Sequence, residues 1–237
     1  MNEHTVKKFD EELTGLKTKI AQMGGLAEEQ LARAIDALIR HDIETADDII
    51  LTDDKIDALE LEIEEKAILT IAKRQPMALD LREIMVSIRI ASDLERIGDL
   101  AKNIAKRVHA IEQEHPRRIM TGLARMGRLA LAQLKEVLDA YAQRNEAKAL
   151  DVWRGDEEID ALYNSIFREL LTYMMEDPRN IGVCTHLLFG AKNLERIGDH
   201  ATNIAENIYY LEHGTPLKDE RPKKDTTSTT PVTSLGA

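Results

Sequence analysis

The hexapeptide Leu94-Glu95-Arg96-Ile97-Gly98-Asp99 returns intact as Leu194-Glu195-Arg196-Ile197-Gly198-Asp199, one hundred residues later. A match of that length marks an internal duplication, so any fold assigned to one half must also serve the other. Over 91–105 and 191–205, eleven of fifteen positions are identical, among them Ala101 with Ala201 and Asn103 with Asn203. Upstream the offset is 103: Met23-Gly24 matches Met126-Gly127, Gln30-Leu31 matches Gln133-Leu134, and Ile56-Asp57-Ala58-Leu59 matches Ile159-Asp160-Ala161-Leu162. The change of offset places a three-residue deletion between Leu162 and Ala191, most simply in the turn around Pro178. The chain thus reads as one repeat over 1–115, a second over 116–213 and a tail over 214–237.

Within each repeat the apolar residues keep helical spacing. Phe9, Leu13, Leu16, Ile20, Met23, Leu26, Leu31, Ile35 and Leu38 form one stripe, which predicts a first helix from about 5 to 39 with Gly24-Gly25 as a soft point. A second is expected from about 44 to 73, stopped by Arg74-Gln75-Pro76, and a third from about 79 to 113, stopped before Pro116. The second half predicts helices at about 118–142, 146–175 and 179–212. Alternating β-branched runs and Asn-Gly or Asp-Gly hairpin dipeptides are missing. The expected fold is all-α, two tandem antiparallel three-helix bundles, followed by a Thr/Ser-rich tail with too little apolar surface to order itself.

Composition narrows the function. A net charge of −11 opposes general binding to phosphate backbones or anionic lipid, so a nucleic-acid role is not expected. The single cysteine, Cys184, cannot close an intrachain disulfide, the first residues lack the basic-then-apolar run of a signal peptide, and no stretch reaches the ~20 apolar residues of a membrane span. A cytoplasmic location is expected, with any membrane association made through a partner.

The duplicated part of the third helix is polar. Residues four apart on a helix are neighbours, so Glu95, Asp99 and Asn103 form one row, and Glu195, Asp199 and Asn203 another. By 100° per residue these rows flank the apolar stripe and face a groove or solvent. The second helix offers Asp53, Asp57, Glu60 and Glu64, of which Asp156 and Asp160 repeat the first two, while Tyr163 and Phe167 replace the others. If neighbouring registers agree, carboxylates meet in pairs and a cation is the simplest relief of their repulsion. All-oxygen ligation suits magnesium, calcium, manganese or oxidised iron and not a closed zinc site.

Acidic residues at helical spacing more often form a solvated face, and Glu95 has Arg96 and Lys102 nearby to pair with. The duplication favours metal: surface positions have drifted, Lys102 to Thr202 and Ser92 to Lys192, while both acids and the asparagine are kept. Other features carry less. His200 corresponds to Leu100, and Glu112-x-x-His115 abuts Pro116 without a second copy. Gly98 and Gly198 cost roughly 1 kcal/mol each inside a helix, and close approach of a neighbouring helix is the expected return. No Ser/His/Asp or Cys/His arrangement or phosphate-cradling glycine loop is visible, so no catalytic residue is assigned. A metal-dependent phosphohydrolase and an iron-handling helical protein stand as the alternatives to a binding module.

Ala72-Lys73-Arg74-Gln75-Pro76, Asp80-Leu81-Arg82, Tyr173-Met174-Met175-Glu176-Asp177-Pro178-Arg179 and the paired Leu-Glu-Arg-Ile-Gly-Asp motifs together resemble the PhoU family of bacterial phosphate-specific transport accessory proteins, over about 5 to 213. That resemblance implies paired three-helix bundles, commonly dimeric, lying in the cytoplasm against the inner membrane. It implies a non-enzymatic negative regulator of the phosphate-starvation regulon, linking an ABC phosphate importer and its ATPase subunit to a sensor histidine kinase. It also implies magnesium, manganese or iron at Glu95, Asp99, Glu195 and Asp199, with Asp53, Asp57, Asp156 and Asp160 as less direct partners.

Overall fold

The structure is a computed structural model and describes residues 2–111 and 117–219. All regular structure among them is helical: α1 (Asn2–Arg40), α2 (Ile43–Thr52), α3 (Asp54–Arg74), α4 (Leu79–Val108), α5 (Arg117–Gln143), α6 (Glu146–Glu176) and α7 (Ile181–His213), with a 3-10 turn at Pro178–Asn180. Helices α1 to α4 build the first bundle and α5 to α7 the second, as the duplication predicts. Among the described residues no helix is long and apolar enough to cross a membrane.

Local chemistry explains the boundaries. Asp42 caps α2 by accepting from the Thr45 N–H, and Asn145, its counterpart, caps α6 by accepting from the Lys148 N–H. The residues before them, His41 and Arg144, both take positive φ, at 56° and 49°, so the tight αα turn is duplicated along with its cap. Gly214, at φ 71°, ends α7 with its N–H on the Tyr210 carbonyl. The connector between the second and third helices is four residues in both halves, 75–78 and 177–180, so the three-residue difference lies at the end of α6 and the start of α7 and not, as expected, in the turn itself.

Three further expectations are corrected. The second helix is two pieces, because the ladder breaks for one residue at Asp53; the backbone there stays helical (φ −58°, ψ −37°), so α3 continues α2. The third helix ends at Val108, five residues early, and Glu112-x-x-His115 lies outside the described residues. The tail is placed as far as residue 219, where Leu217 packs on the core; 220–237 lie outside the described residues.

The two bundles share one hydrophobic core. α1 and α5 run antiparallel and exchange knobs. A methyl group on Gly24 would stand 2.8 Å from Leu138 Cδ1, and one on Gly127 would stand 2.9 Å from Ile35 Cγ2. Ile35 and Leu138 are themselves counterparts at the offset of 103, so the contact has a local two-fold symmetry. Gly24 is therefore a hole for a knob and not a soft point, and α1 runs through it. α4 and α7 also cross antiparallel: Asp93 accepts from Asn203 and bonds His200 Nδ1 at 2.9 Å, while Arg107 lies 4.8 Å from the Phe189 ring centre. Glu83, buried on α4, joins the halves through Lys17 Nζ at 2.7 Å and through Arg144. Burial pushes its carboxyl upward, but the two cations outweigh it and hold the group below the usual carboxylate range.

Filling the α1 hole tests this packing. Gly24→Val is expected to lose about 1–3 kcal/mol of stability, as overpacked cores do. In a Leu138→Ala background urea denaturation should show a smaller loss, because the knob is gone.

Candidate functional site

The predicted carboxylates do meet across neighbouring helices, but in a seam and not on an open face. Asp53, Asp156, Asp160 and Glu195 are buried, while Asp57, Glu95, Asp99 and Asp199 are half-buried, Asp99 with 40% of its side chain exposed. The rows of four were placed too far outward. They lie between the second and third helices of each half, where Ile56 and Ile159 also point. Gly98 and Gly198 make that closeness possible: an added methyl would stand 3.0 Å from Ile56 Cδ1 at the first and 3.2 Å from Ile159 Cδ1 at the second. Asn203 leaves the row, since eight residues turn the helix by about 80° and carry it to Asp93.

In the first half Asp53 is the innermost acid, with 1% of its surface exposed. Gln30 Nε2, from α1, donates to its Oδ1 at 2.6 Å and to the Gly98 carbonyl at 3.1 Å. Lys102 Nζ, one turn beyond Gly98, donates to its Oδ2 at 2.5 Å and stands 3.8 Å from Asp99 Oδ1. The Asp53 hydrogen bond and the charges of Asp53, Asp99 and Asp57 hold the Lys102 ammonium above the ordinary lysine range, against its burial. Asp57 and Glu95 are pushed upward, chiefly by burial, then by neighbouring carboxylates: Asp53 and Asp99 for Asp57, and Asp99, Glu60 and Asp57 for Glu95. Lys102 partly counters the rise at Asp57, and Arg96, 3.3 Å from Glu95 Oε2, partly counters the rise at Glu95.

The second half keeps the acids and changes their neighbours. Thr202 stands at the place of Lys102, fully buried, with Oγ1 donating to the Gly198 carbonyl at 2.9 Å. A lysine comes from the other side: Lys192 Nζ is 2.8 Å from Glu195 Oε1 and 4.9 Å from the Tyr163 ring centre, at the outer end of the seam. Gln133, the counterpart of Gln30, is 8% exposed, yet its Oε1 has no donor. That oxygen lies 3.4 Å, and Asp156 Oδ1 3.2 Å, from the point where a Gly198 methyl would be. In the first half the amide nitrogen faces the aspartate; in the second the amide oxygen shares the same pocket with it.

The glutamines were the residues the sequence reading left out of the site, although the repeated Gln-Leu pair carried the signal. As the side chains stand, no three His, Cys, Asp or Glu groups converge as ligands of an ion among the described residues. In the first half the cation position is taken by Lys102. In the second half Thr202 stands there, and Asp156, Asp160, Glu195 and Asp199 share the seam without converging as three ligands of one ion.

The raised carboxyls set a sign. The folded state holds protons on Glu95 and Asp57 more tightly than the unfolded chain does. Their contribution to stability is therefore complete below about pH 4, the ordinary carboxylate range, and is lost as pH rises through the folded values. Glu95→Gln, uncharged throughout, is expected to melt above wild type near pH 7 and to lose that advantage near pH 4, as thermal unfolding at both pH values will show.

Residues 20–108 and 123–208 match the PhoU domain family, one match for each bundle. The chain is 60% identical over 227 residues, 95% of its length and 96% of the relative's, to a Rhizobium meliloti (strain 1021) protein named phosphate-specific transport system accessory protein PhoU homolog. A Caulobacter vibrioides (strain NA1000 / CB15N) protein of the same name is 52% identical, covering 96% of this chain and all of its own. The crystal structure of PhoU from Pseudomonas aeruginosa superposes with a TM-score of 0.85 at 40% identity, covering 87% of this chain and all of that one. The crystal structure of the phosphate transport system regulatory protein PhoU from Streptococcus pneumoniae gives 0.82 at 32% identity, over 89% and 100%. With both bundles matched and identity running along nearly the whole chain, this protein belongs to the PhoU family.

Proposed function

We propose that this chain is a negative regulator of the phosphate-starvation response and a modulator of phosphate uptake. It acts as a cytoplasmic adaptor, working as a homodimer between the ATPase subunit of an ABC phosphate importer and a sensor histidine kinase. The observation that carries the reading is the 60% identity, over nearly the full length of both chains, to a protein named as an accessory of phosphate-specific transport. The helical body supports it, since one shared core makes both bundles a single docking unit.

The proposal includes metal, magnesium, manganese or iron, at the duplicated carboxylate motifs Glu95, Asp99, Glu195 and Asp199, with Asp53, Asp57, Asp156 and Asp160 beside them. Such an ion would supply positive charge to the seam and change the field the surface offers a partner. The acids would hold it; no bond is made or broken. Asp53 supports the non-catalytic reading, because its oxygens are engaged by Gln30 and Lys102 and the group is closed to a substrate. A metal-dependent phosphohydrolase would instead turn over phosphomonoesters when given manganese or magnesium, and an iron-handling protein would consume ferrous iron and oxygen.

The test is alkaline phosphatase activity in phosphate-replete cells. Deleting the chain is expected to raise it to the phosphate-starved level, and restoring wild type to silence it. A variant with Glu95 and Glu195 changed to Gln, and Asp99 and Asp199 to Asn, is expected to silence it incompletely. A deletion strain that stays silent would overturn the regulatory reading, and full silencing by the variant would remove metal from it.

A further inference from the structure

In both copies of the repeated hexapeptide the leucine and isoleucine are core, the glycine admits the neighbouring helix, and the two acids line the seam with it. The arginine alone is exposed, at Arg96 and at Arg196. Each arginine belongs to a stripe with alternating spacings of four and three residues: Arg89, Asp93, Arg96, Leu100, Asn103 and Arg107 on α4, and their counterparts Phe189, Asn193, Arg196, His200, Asn203 and Asn207 on α7. Such spacing keeps one face of a helix along a neighbour. Asp93 bonds His200 and Asn203, Arg89 Nη1 stands 3.5 Å from Asn207 Oδ1, and Arg107 Nη1 stands 3.4 Å from His186 Nδ1, so the stripes face each other and run antiparallel. That register sets Arg96 opposite Arg196, midway along a groove between the two helices. The groove is open, with Arg89, Arg96, Phe189 and Arg196 exposed, and at its Tyr210 end it deepens into a cavity of about 620 Å³.

Four arginines stand in the two stripes against one acid, in a chain of net charge −11. Asp93 is already served by His200 and Asn203, and Glu206, in the wall of the cavity, accepts from Trp153 Nε1 at 3.0 Å. The groove is short of acceptors. Arg107 Nε and Asn193 Nδ2 are buried atoms with no acceptor, and no other side-chain donor among the described residues is left so. Arg96 leans on Glu95 at 3.3 Å and Asp99 at 3.8 Å, both on its own helix; exposed pairs of that kind are weak and exchange for a better partner. From Arg89 to Arg107 the stripe spans about 27 Å at 1.5 Å per residue, the length of about eight residues of extended chain.

We infer that the groove between α4 and α7 is the docking site of an acidic segment of a partner protein, which brings carboxylates to Arg89, Arg96 and Arg196 and acceptors to the end where Asn193 and Arg107 lie. Guanidinium and amide N–H groups suit carboxylate and carbonyl oxygens, and the charged pairs are the strong ones. The width of the groove selects the partner. On its outer sides lie Glu95 with Asp99 and Glu195 with Asp199, and these acids together with the net charge repel a broad anionic plane such as a membrane while leaving room for a single chain between them. The inference rests on the adaptor reading only for the existence of a protein partner.

The test uses the full chain and a fluorescein-labelled peptide of about twelve residues alternating Glu and Ser, long enough to span the stripe. Binding is read by fluorescence anisotropy at low salt, and folding by circular dichroism. Wild type is expected to bind, more weakly as sodium chloride rises. Arg89, Arg96 and Arg196 changed together to Gln are expected to cut affinity about tenfold or more, the scale of lost charged hydrogen bonds. Lys55, Arg128 and Arg168, exposed cations on α3, α6 and α5 that lie off the groove, changed together to Gln, lower the net charge equally and are expected to change it little. Arg196→Glu alone is the second variant, expected to weaken binding in the same direction. Equal losses in the two triple variants would show attraction by net charge alone and overturn the inference. So would wild type that does not bind the peptide, or groove-dependent binding that is tighter to phosphatidylglycerol vesicles, to an oligothymidine strand or to inorganic phosphate than to the peptide. Failure of peptide binding leaves the alkaline phosphatase result untouched, and a deletion strain that stays silent leaves the affinity of the groove standing, so the two readings fail separately.

Discussion

A carboxylate buried between helices must have a cation or a full set of donors within reach, because taking an unpaired charge out of water costs far more than one contact returns. Asp53 and Asp156, each 1% exposed, impose that condition on both halves. Much of the surrounding structure answers it. Gln30 reaches in from α1 and binds Asp53 and the Gly98 carbonyl at once, so the acid is tied to all three helix directions of its bundle. Gly98 lets α3 come close enough for this to happen, and Lys102 closes the charge. The ladder break between α2 and α3 falls on the same residue, at the position where the side chain is most constrained by other helices.

The second constraint is that neither bundle completes a core alone. α1 meets α5 through the reciprocal Gly24–Leu138 and Gly127–Ile35 contacts, and α4 meets α7 through Asp93, His200 and Asn203. Because the knobs and holes are counterparts under the duplication, the interface is what a symmetric pair of identical halves would have formed, now joined in one chain. Its polar part has since diverged: Arg107 lies over Phe189, while Arg89, the counterpart of Phe189, lies over the Tyr210 ring at 5.2 Å. Glu83, whose counterpart by the offset of 100 is Val183, has no double. A shared apolar core is insensitive to such drift, because burial is non-directional.

That difference explains what could be read from the sequence. Helix positions and the pairing of the acids follow from periodicity, and the chain carries it. Burial of the acids did not follow, since a 100° wheel places Glu195 beside the apolar stripe but does not say that the neighbouring helix, let in by Gly198, closes over it. The break at Asp53 is legible only once Gln30 and Lys102 are seen to hold its side chain, and those come from positions 23 residues before and 49 after it. The early end of α4 likewise had no signal, because Pro116 marks the last place a helix must stop and not the first place it can.

The exchange of Lys102 for Thr202 was plain in the sequence, yet there it looked like surface drift. In the structure it is a change inside the seam, where Thr202 is fully buried and Lys102 keeps 23% of its side chain exposed. The second half keeps Asp156, Asp160, Glu195 and Asp199 but has Tyr163 and Phe167 where Glu60 and Glu64 stand, so acidic charge beside the seam has gone together with the lysine. Lys192, whose counterpart is Ser92, supplies a cation to Glu195 at 2.8 Å. The interior end has changed in kind: a hydroxyl satisfied by a backbone carbonyl, and an amide oxygen turned toward an aspartate.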